Sequence, residues 1–254
     1  ECHYCRSGQS NLCENRFNGG QRVLGGFAEY RAVSARQAYP LPADLSLAEA
    51  AFAEPVACCI RSLRKVRVAL TDDVLVIGAG PMGLMHLLVA RRLGARVFVS
   101  DPLAHRRRKA EEMGADRTID PEAEDLPALV RAHTEGRGAD ACIVTSPAPA
   151  ALQSAAAAVS KGGRINIYTS YDEEVTLPLQ ANAMHRNETL VTGSEGRTEQ
   201  DFLQAVRLLS FGMVRVAPLI SLYAPLTGVA QAIRQAASGE TYRVLLEHGA
   251  RGAA

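Results

Sequence analysis

Val74-Leu75-Val76-Ile77-Gly78-Ala79-Gly80-Pro81-Met82-Gly83 is the stretch whose reading decides the fold. Four apolar residues predict a buried parallel strand, and Leu84 to Leu93 continues as an apolar helix. Strand, Gly-x-Gly-x-x-Gly and helix in that order are the context that gives the glycine spacing a meaning. Gly78 permits the tight turn, Gly80 lets the backbone approach a pyrophosphate, and Gly83 lets helix meet strand. Pro81 suits the first helical turn, where its missing N–H costs nothing. The helix that opens at Pro81 and Met82 turns free N–H groups and a positive dipole end toward phosphate. The plainer alternative is a strand-to-helix turn with no ligand. The context favours a dinucleotide site at Gly78, Gly80, Pro81, Met82 and Gly83.

The same βα rhythm runs outward from this turn. Arg96 to Ser100 predicts a second strand that ends at Asp101, 18 residues past Gly83. There a dinucleotide fold places the acid that accepts hydrogen bonds from the adenosine ribose. Asp101 would repel a 2′-phosphate, which predicts NAD over NADP. The basic run His105-Arg106-Arg107-Arg108-Lys109 could greet that phosphate, although most of it reads as the solvated face of the next helix. Further strands are expected at 117–119, 141–145, 164–169 and 189–192. Helices are expected at 126–133 and 150–159, the second closed by Gly162-Gly163. Six strands with intervening helices predict a doubly wound parallel sheet. Its ligand crevice lies beyond the strand carboxyl ends, which makes Val144, Thr145, Ile167 and Tyr168 candidate nicotinamide neighbours.

The chain opens on a second chemical cluster. Cys2, Cys5 and Cys13 form Cys-x-x-Cys-x7-Cys among loop residues. Such spacing lets a short loop converge soft thiolates on one zinc ion. A closed site needs four ligands, and His3 adjoins Cys2 too closely to fold back easily. Gly25 to Val33 alternates after a glycine turn and predicts a strand. Ser46 to Ala53 predicts a short helix with a capping serine, and Thr198 to Asp201 caps another ahead of Phe202, Ala205, Val206 and Leu209. Tyr242 to Leu246 predicts a final strand. Hydrophobic content of 47%, charged content of 22% and a formal net charge of +1 give no electrostatic reason for nucleic acid or an anionic membrane as partner. Six unevenly spaced cysteines in a βα chain predict reduced thiols and a cytoplasmic protein. The apolar run from Val74 to Ala90 is interrupted by glycines and His86, so it reads as strand plus core helix rather than a membrane span.

With the cysteine lobe, Gly25-Gly26-Phe27-Ala28-Glu29-Tyr30, Ala53-Glu54-Pro55-Val56-Ala57 and the glycine turn in this order, the chain resembles the zinc-containing medium-chain dehydrogenases. It is most similar to their polyol (sorbitol/iditol) and threonine dehydrogenase branch, from Glu1 to about His248. The resemblance implies a six-stranded Rossmann sheet plus the remnant of a β-rich GroES-like catalytic domain. It divides the chain into 1–56, the end of the GroES-like domain with its zinc lobe, 57–195, the NAD-binding domain, and 196–254, a segment returning to the first. In the family the lobe has four cysteines, of which Cys2, Cys5 and Cys13 match the last three. An upstream catalytic Cys and Gly-His-Glu motif are not in this sequence, so the resemblance implies a fragment lacking roughly the first quarter of a member.

The resemblance also implies that Glu54 stands by the catalytic zinc, as ligand or holding its water, whereas the residues alone read as a helix-terminal carboxylate beside a proline. Cys58 and Cys59 read as buried packing thiols. Arg106 matches a position that flanks adenine. Arg61, Ser146 and Thr169 depart from the usual family residues. The implied activity is zinc- and NAD-dependent oxidation of a secondary alcohol, a polyol or sugar alcohol, to a ketone by hydride transfer, with a threonine 3-dehydrogenase-like activity as an alternative. The implied assembly is a homo-oligomer, dimer or tetramer. If the 254 residues are the entire natural protein, a non-catalytic nucleotide-binding module is expected instead.

Overall fold

The computed structural model describes residues 2–15, 25–177 and 179–248. They form two compact units, one from the residues up to Ala53 together with those from Thr198 onward, the other Glu54–Arg197.

The first unit begins with a short helix α1 (His3–Arg6) and a 3-10 turn (Ser10–Leu12) that carry the cysteines. Helix α2 (Leu47–Ala50) starts where expected, with the Ser46 hydroxyl accepting the Glu49 N–H. Gly25 to Val33 is a correction: no strand forms there. Its large side chains stand in solvent, with Phe27 65% and Tyr30 71% exposed. An alternating pattern becomes a strand only where a partner edge takes up its backbone bonds, and no described strand pairs with this stretch.

Chain order then passes into the second unit. Helix α3 (Ala53–Lys65) leads to β1 (Asp73–Ile77), α4 (Pro81–Arg92), β2 (Arg96–Ser100), α5 (Ala104–Glu112) and β3 (Arg117–Ile119). It continues through α6 (Leu126–His133), β4 (Ala139–Val144), α7 (Pro149–Ala158), β5 (Val159–Ile167), α8 (Ala181–Asn187) and β6 (Leu190–Gly193). The sheet order is β3-β2-β1-β4-β5-β6, with every neighbouring pair parallel. This is the doubly wound α/β sheet the sequence predicts, with its order reversing between β1 and β4.

Both faces of the sheet are covered, which is why the strands read as unbroken apolar runs. On one face Leu75, Ile77, Phe98, Cys142, Val144 and Ile165 bury against Leu126 and Val130 of α6 and Leu152 and Ala155 of α7. Val74, Val76, Val97, Val99 and Ile143 alternate onto the other face and are fully buried. Helices α3 and α4 meet on that side, where the Cys59 thiol reaches the Met82 carbonyl and the Asn166 amide donates to the Ser62 hydroxyl. At the amino ends of the strands, buried Asp73 is held by Arg96 at 2.7 Å and Arg137 at 3.1 Å.

Gly162 and Gly163 are a second correction. They do not close α7, which ends at Ala158; they lie inside β5. Val159 pairs with Ala139 and Arg164 with Ala141, so the intervening residues bulge out of register. Glycine serves a bulge as well as a helix stop, and the ladder with β4 decides between them.

The chain closes in the first unit with α9 (Glu199–Ser210), β7 (Ile220–Pro225), α10 (Val229–Ala237) and β8 (Arg243–Glu247). The cap on α9 is reciprocal: Thr198 Oγ1 accepts the Asp201 N–H and Asp201 Oδ2 accepts the Thr198 N–H at 2.9 Å. Strands β7 and β8 pair in parallel. No described helix is long and apolar enough to cross a membrane.

Candidate functional site

The carboxyl ends of β1 and β4 build the site from backbone first. Gly78 follows β1 with φ +107, a conformation that side chains disfavour, and an added Cβ would lie 2.7 Å from Thr145 Oγ1. Gly83 sits in the first turn of α4, where an added Cβ would collide with the Gly78 carbonyl oxygen. Gly80 differs from both: an added Cβ there would meet nothing within 4 Å. Gly78 and Gly83 therefore shape the loop, while Gly80 borders open space at the amino end of α4. Pro81 opens that helix with Met82 behind it. Those features fit a pyrophosphate, which needs close approach to backbone and a helix N-terminus.

Asp101, just past β2, is 3% exposed. Its Oδ2 accepts the Ala79 N–H at 2.8 Å and its Oδ1 accepts the Leu103 N–H at 2.9 Å. Arg106 approaches Oδ2 at 3.7 Å. The carboxylate thus fastens the glycine loop to the end of β2, a duty the sequence did not disclose. In the basic run, Arg107 pairs with Asp120 at 2.8 Å and donates to the carbonyls of Asp101 and Pro102. Lys109 pairs with Glu112 at 3.0 Å. These two cations are structural; His105 and Arg108 stand exposed.

Thr145 lies under the loop rather than at its rim. Its hydroxyl reaches the Ile77 carbonyl at 3.0 Å and the Gly78 carbonyl at 3.1 Å. Tyr168 follows β5, its N–H donating to the Val144 carbonyl at 3.1 Å. Its half-buried ring meets His86 of α4 edge to face, with centroids 4.5 Å apart and planes at 82°. In the sequence His86 reads only as a break in an apolar run; nothing in the pattern marks a histidine for contact with a residue past a distant strand.

Glu54 is exposed in the first turn of α3. One turn on, the Cys58 thiol donates to Glu54 Oε1 at 3.3 Å. Burial, with the Glu54 charge beside it, pushes that thiol up to about 12, so it stays protonated. Both Cys58 and Cys59 are buried.

In the amino-terminal lobe, Cys2, Cys5 and Cys13 gather their sulfurs within 4.8 Å of one another, and the Cys2 and Cys5 sulfurs are 3.9 Å apart. Tetrahedral zinc with Zn–S bonds near 2.3 Å spaces its sulfurs by about 3.8 Å, so the thiols fit that ion. The backbone N–H groups of Cys5 and Glu14 lower Cys2 to about 7, which favours the ligating thiolate. Cys5 is pushed the other way, by the neighbouring Cys13 thiol and then by burial. Among the described residues this is the only group of three or more His, Cys, Asp or Glu side chains so gathered, and it includes neither His3 nor Glu54. A lone carboxylate bonded to a thiol does not by itself make a second metal site.

Comparison with known proteins agrees with both halves of this picture. The alcohol dehydrogenase GroES-like domain matches residues 1–43 and the zinc-binding dehydrogenase family matches residues 81–210. D-arabitol-phosphate dehydrogenase of Enterococcus avium is 30% identical over 97% of this chain and 71% of its own length. L-threonine 3-dehydrogenase of Bacillus subtilis is 33% identical over the same shares, 97% and 71%. A solved zinc-binding dehydrogenase from Sinorhizobium meliloti 1021, bound to NADP, is 28% identical with a TM-score of 0.89, covering 97% of this chain and 72% of that one. By the family match and by relatives at 30% identity or more, the chain belongs to the zinc-binding dehydrogenases, in their polyol and threonine dehydrogenase branch.

Proposed function

We propose that this chain serves zinc- and NAD-dependent oxidation of a secondary alcohol, a polyol or sugar alcohol, to its ketone by hydride transfer. The observation that carries the reading is the open approach at Gly80 beside Asp101, at the reversal of strand order between β1 and β4. Zinc supplies Lewis acidity toward an alcohol oxygen, and the nicotinamide accepts the hydride. The chain's own part is placement. Gly80, Pro81, Met82 and Gly83 receive the pyrophosphate, and Gly78 sets their turn. Asp101 takes the adenosine ribose while continuing to hold Ala79, and Arg106 flanks the adenine. Thr145 supports the loop from below, and Tyr168 walls the nicotinamide end. Cys2, Cys5 and Cys13 hold a structural zinc. Glu54 contributes its carboxylate to the catalytic metal centre. The working protein is a homo-oligomer, and its cytoplasmic placement is in keeping with six cysteines that form no disulfide.

Two other readings draw on specific observations. The likeness to L-threonine 3-dehydrogenase supports an amino-acid alcohol in place of a polyol. The open approach at Gly80, taken alone, supports a nucleotide-binding module without turnover.

Calorimetry on the 254-residue chain with NAD and NADP, beside a zinc-supplemented assay with sorbitol and L-threonine, tests the choice of cofactor and the place of the chemistry. NAD is expected to bind more tightly than NADP, and this chain is expected to oxidise neither substrate, because Glu54 alone does not hold the metal. Turnover by it would place the chemistry elsewhere. Tighter binding of NADP would overturn the role given to Asp101. In any form of the protein that turns over an alcohol, Glu54→Gln is expected to lower turnover about 10–100-fold and leave NAD affinity unchanged.

A further inference from the structure

His86 is a histidine in a place that an apolar side chain could fill. It is wholly buried, and burial holds it neutral. Its Nδ1 lies 2.8 Å from the Met82 carbonyl, one helical turn back. A carbonyl only accepts, so the ring proton is on Nδ1 and Nε2 is left as a bare acceptor. That Nε2 is buried with no hydrogen-bond partner. The Cys59 sulfur, 3.4 Å from Nδ1, closes the same side of the ring. A leucine would pack here without stranding a polar atom. What the imidazole adds is an anchored orientation: the bond to Met82 restrains the ring, which meets that of Tyr168 in a T-shaped contact with planes at 82°. Tyr168 is held by its main chain to the end of β4, but its ring is only half buried. His86 is thus a side-chain contact of that ring.

We propose that His86 is a positioning residue for the nicotinamide end of the cofactor, acting through the ring of Tyr168. The proposal rests on the reading above that Tyr168 walls the nicotinamide pocket. It makes the second turn of α4 part of the cofactor site, although His86 itself touches no cofactor atom. A T-shaped contact directs the tyrosine ring because aromatic pairs favour the meeting of one ring's edge with the other's face. Losing that contact removes one restraint on the ring, and binding the nicotinamide must then supply part of its ordering.

The test compares NAD with ADP-ribose, which carries every part of NAD except the nicotinamide. Calorimetry on the 254-residue chain measures both ligands against the parent protein, Tyr168→Ala, His86→Leu and His86→Phe. His86→Leu is expected to weaken NAD about two- to tenfold, the worth of one edge-to-face aromatic pair, with ADP-ribose unchanged. Unchanged ADP-ribose binding also certifies that each variant is folded. His86→Phe, which restores an aromatic edge, should return NAD affinity to within about twofold of the parent. If Tyr168→Ala loses NAD selectively while His86→Leu does not, the positioning role is overturned and the pocket reading stands. If Tyr168→Ala leaves the ratio of NAD to ADP-ribose affinity unchanged, or the parent binds neither ligand, the pocket reading fails and takes the proposal with it. Equal loss of both ligands in His86→Leu and His86→Phe also overturns it, since that marks damage to the fold.

Discussion

Asp101 Oδ2 accepts the backbone N–H of Ala79 at 2.8 Å, so the residue read as the ribose acceptor also clamps the glycine loop that receives the phosphates. The two roles predict two different losses in Asp101→Gly. Removing the carboxylate strands the Ala79 and Leu103 amides, which costs about 1–3 kcal/mol each where water cannot reach them. It also removes the charge that opposes a 2′-phosphate. The thermal midpoint should fall, NAD affinity should fall, and the ratio of NADP to NAD affinity should rise. A variant with an unchanged ratio would show that Asp101 does not select the cofactor.

Gly80 and Gly83 are predicted to behave oppositely although both belong to one motif. Gly80→Ala adds a methyl to open space at φ −69, so stability should stay within about 0.5 kcal/mol of the parent. The same methyl obstructs the approach of a pyrophosphate, so NAD affinity should drop at least tenfold. Gly83→Ala forces the helix off the Gly78 carbonyl and should destabilise the protein itself, by about 1–3 kcal/mol or more. Urea melts and calorimetry on the pair separate the effects; equal destabilisation by both substitutions would contradict the assignment.

Zinc analysis of the purified chain should find metal at the amino-terminal lobe, lost on chelation. Cys13→Ser should lower both the zinc content and the thermal midpoint, because the ion ties together a loop that buries little of its own. The NAD affinity of that variant should be unaltered. Zinc content indifferent to Cys13→Ser would mean that the three thiols are not a site.

His86 makes stability depend on acid. Burial lowers it from its ordinary 6.5 to about 4, with the bond to Met82 opposing weakly. The groups that face it from its neighbours are the Cys59 thiol, the Met82 carbonyl and the Tyr168 ring. Between pH 6.5 and 4 the unfolded chain takes up a proton there that the folded chain refuses. Stability therefore falls as pH is lowered through that window, and no penalty exists above it. By pH 5 the loss amounts to about 2 kcal/mol. Denaturation of the parent and His86→Phe at pH 7 and pH 5 should show a steeper decline in the parent. Parallel declines would place the acid sensitivity elsewhere.

Local chemistry was legible wherever the chain answers a local question. Thr198 and Ser46 cap their helices through bonds to backbone three residues on, and such bonds are written in adjacent letters. The strands of the second unit were legible because burial on both faces leaves an unbroken apolar run. Gly162-Gly163 misled because a helix stop and a bulge ask for the same residue, and only pairing with Ala139 and Ala141 distinguishes them. Gly25 to Val33 misled because alternation states what a strand would need, not whether an edge is there to receive it. In the candidate site, the spacing from Gly83 located Asp101 but not its grip on Ala79. That grip depends on β1 and β2 lying side by side. His86 and Tyr168 are far apart in sequence and meet only because α4 lies near the end of β5.

The hydroxyl of Thr145 bonds to the Gly78 carbonyl across 67 residues of chain. Every glycine of the loop is therefore present long before the partner that completes it. Closing so long a connection is entropically slow compared with forming α4 or the β1–β2 pair, whose contacts are nearer in sequence. A nascent chain that has emerged only as far as α6 possesses the whole fingerprint and half of the crevice. Competence to hold a dinucleotide therefore requires β4 in place, and a ligand that recognises the finished crevice stabilises that docked arrangement over any in which β4 is loose.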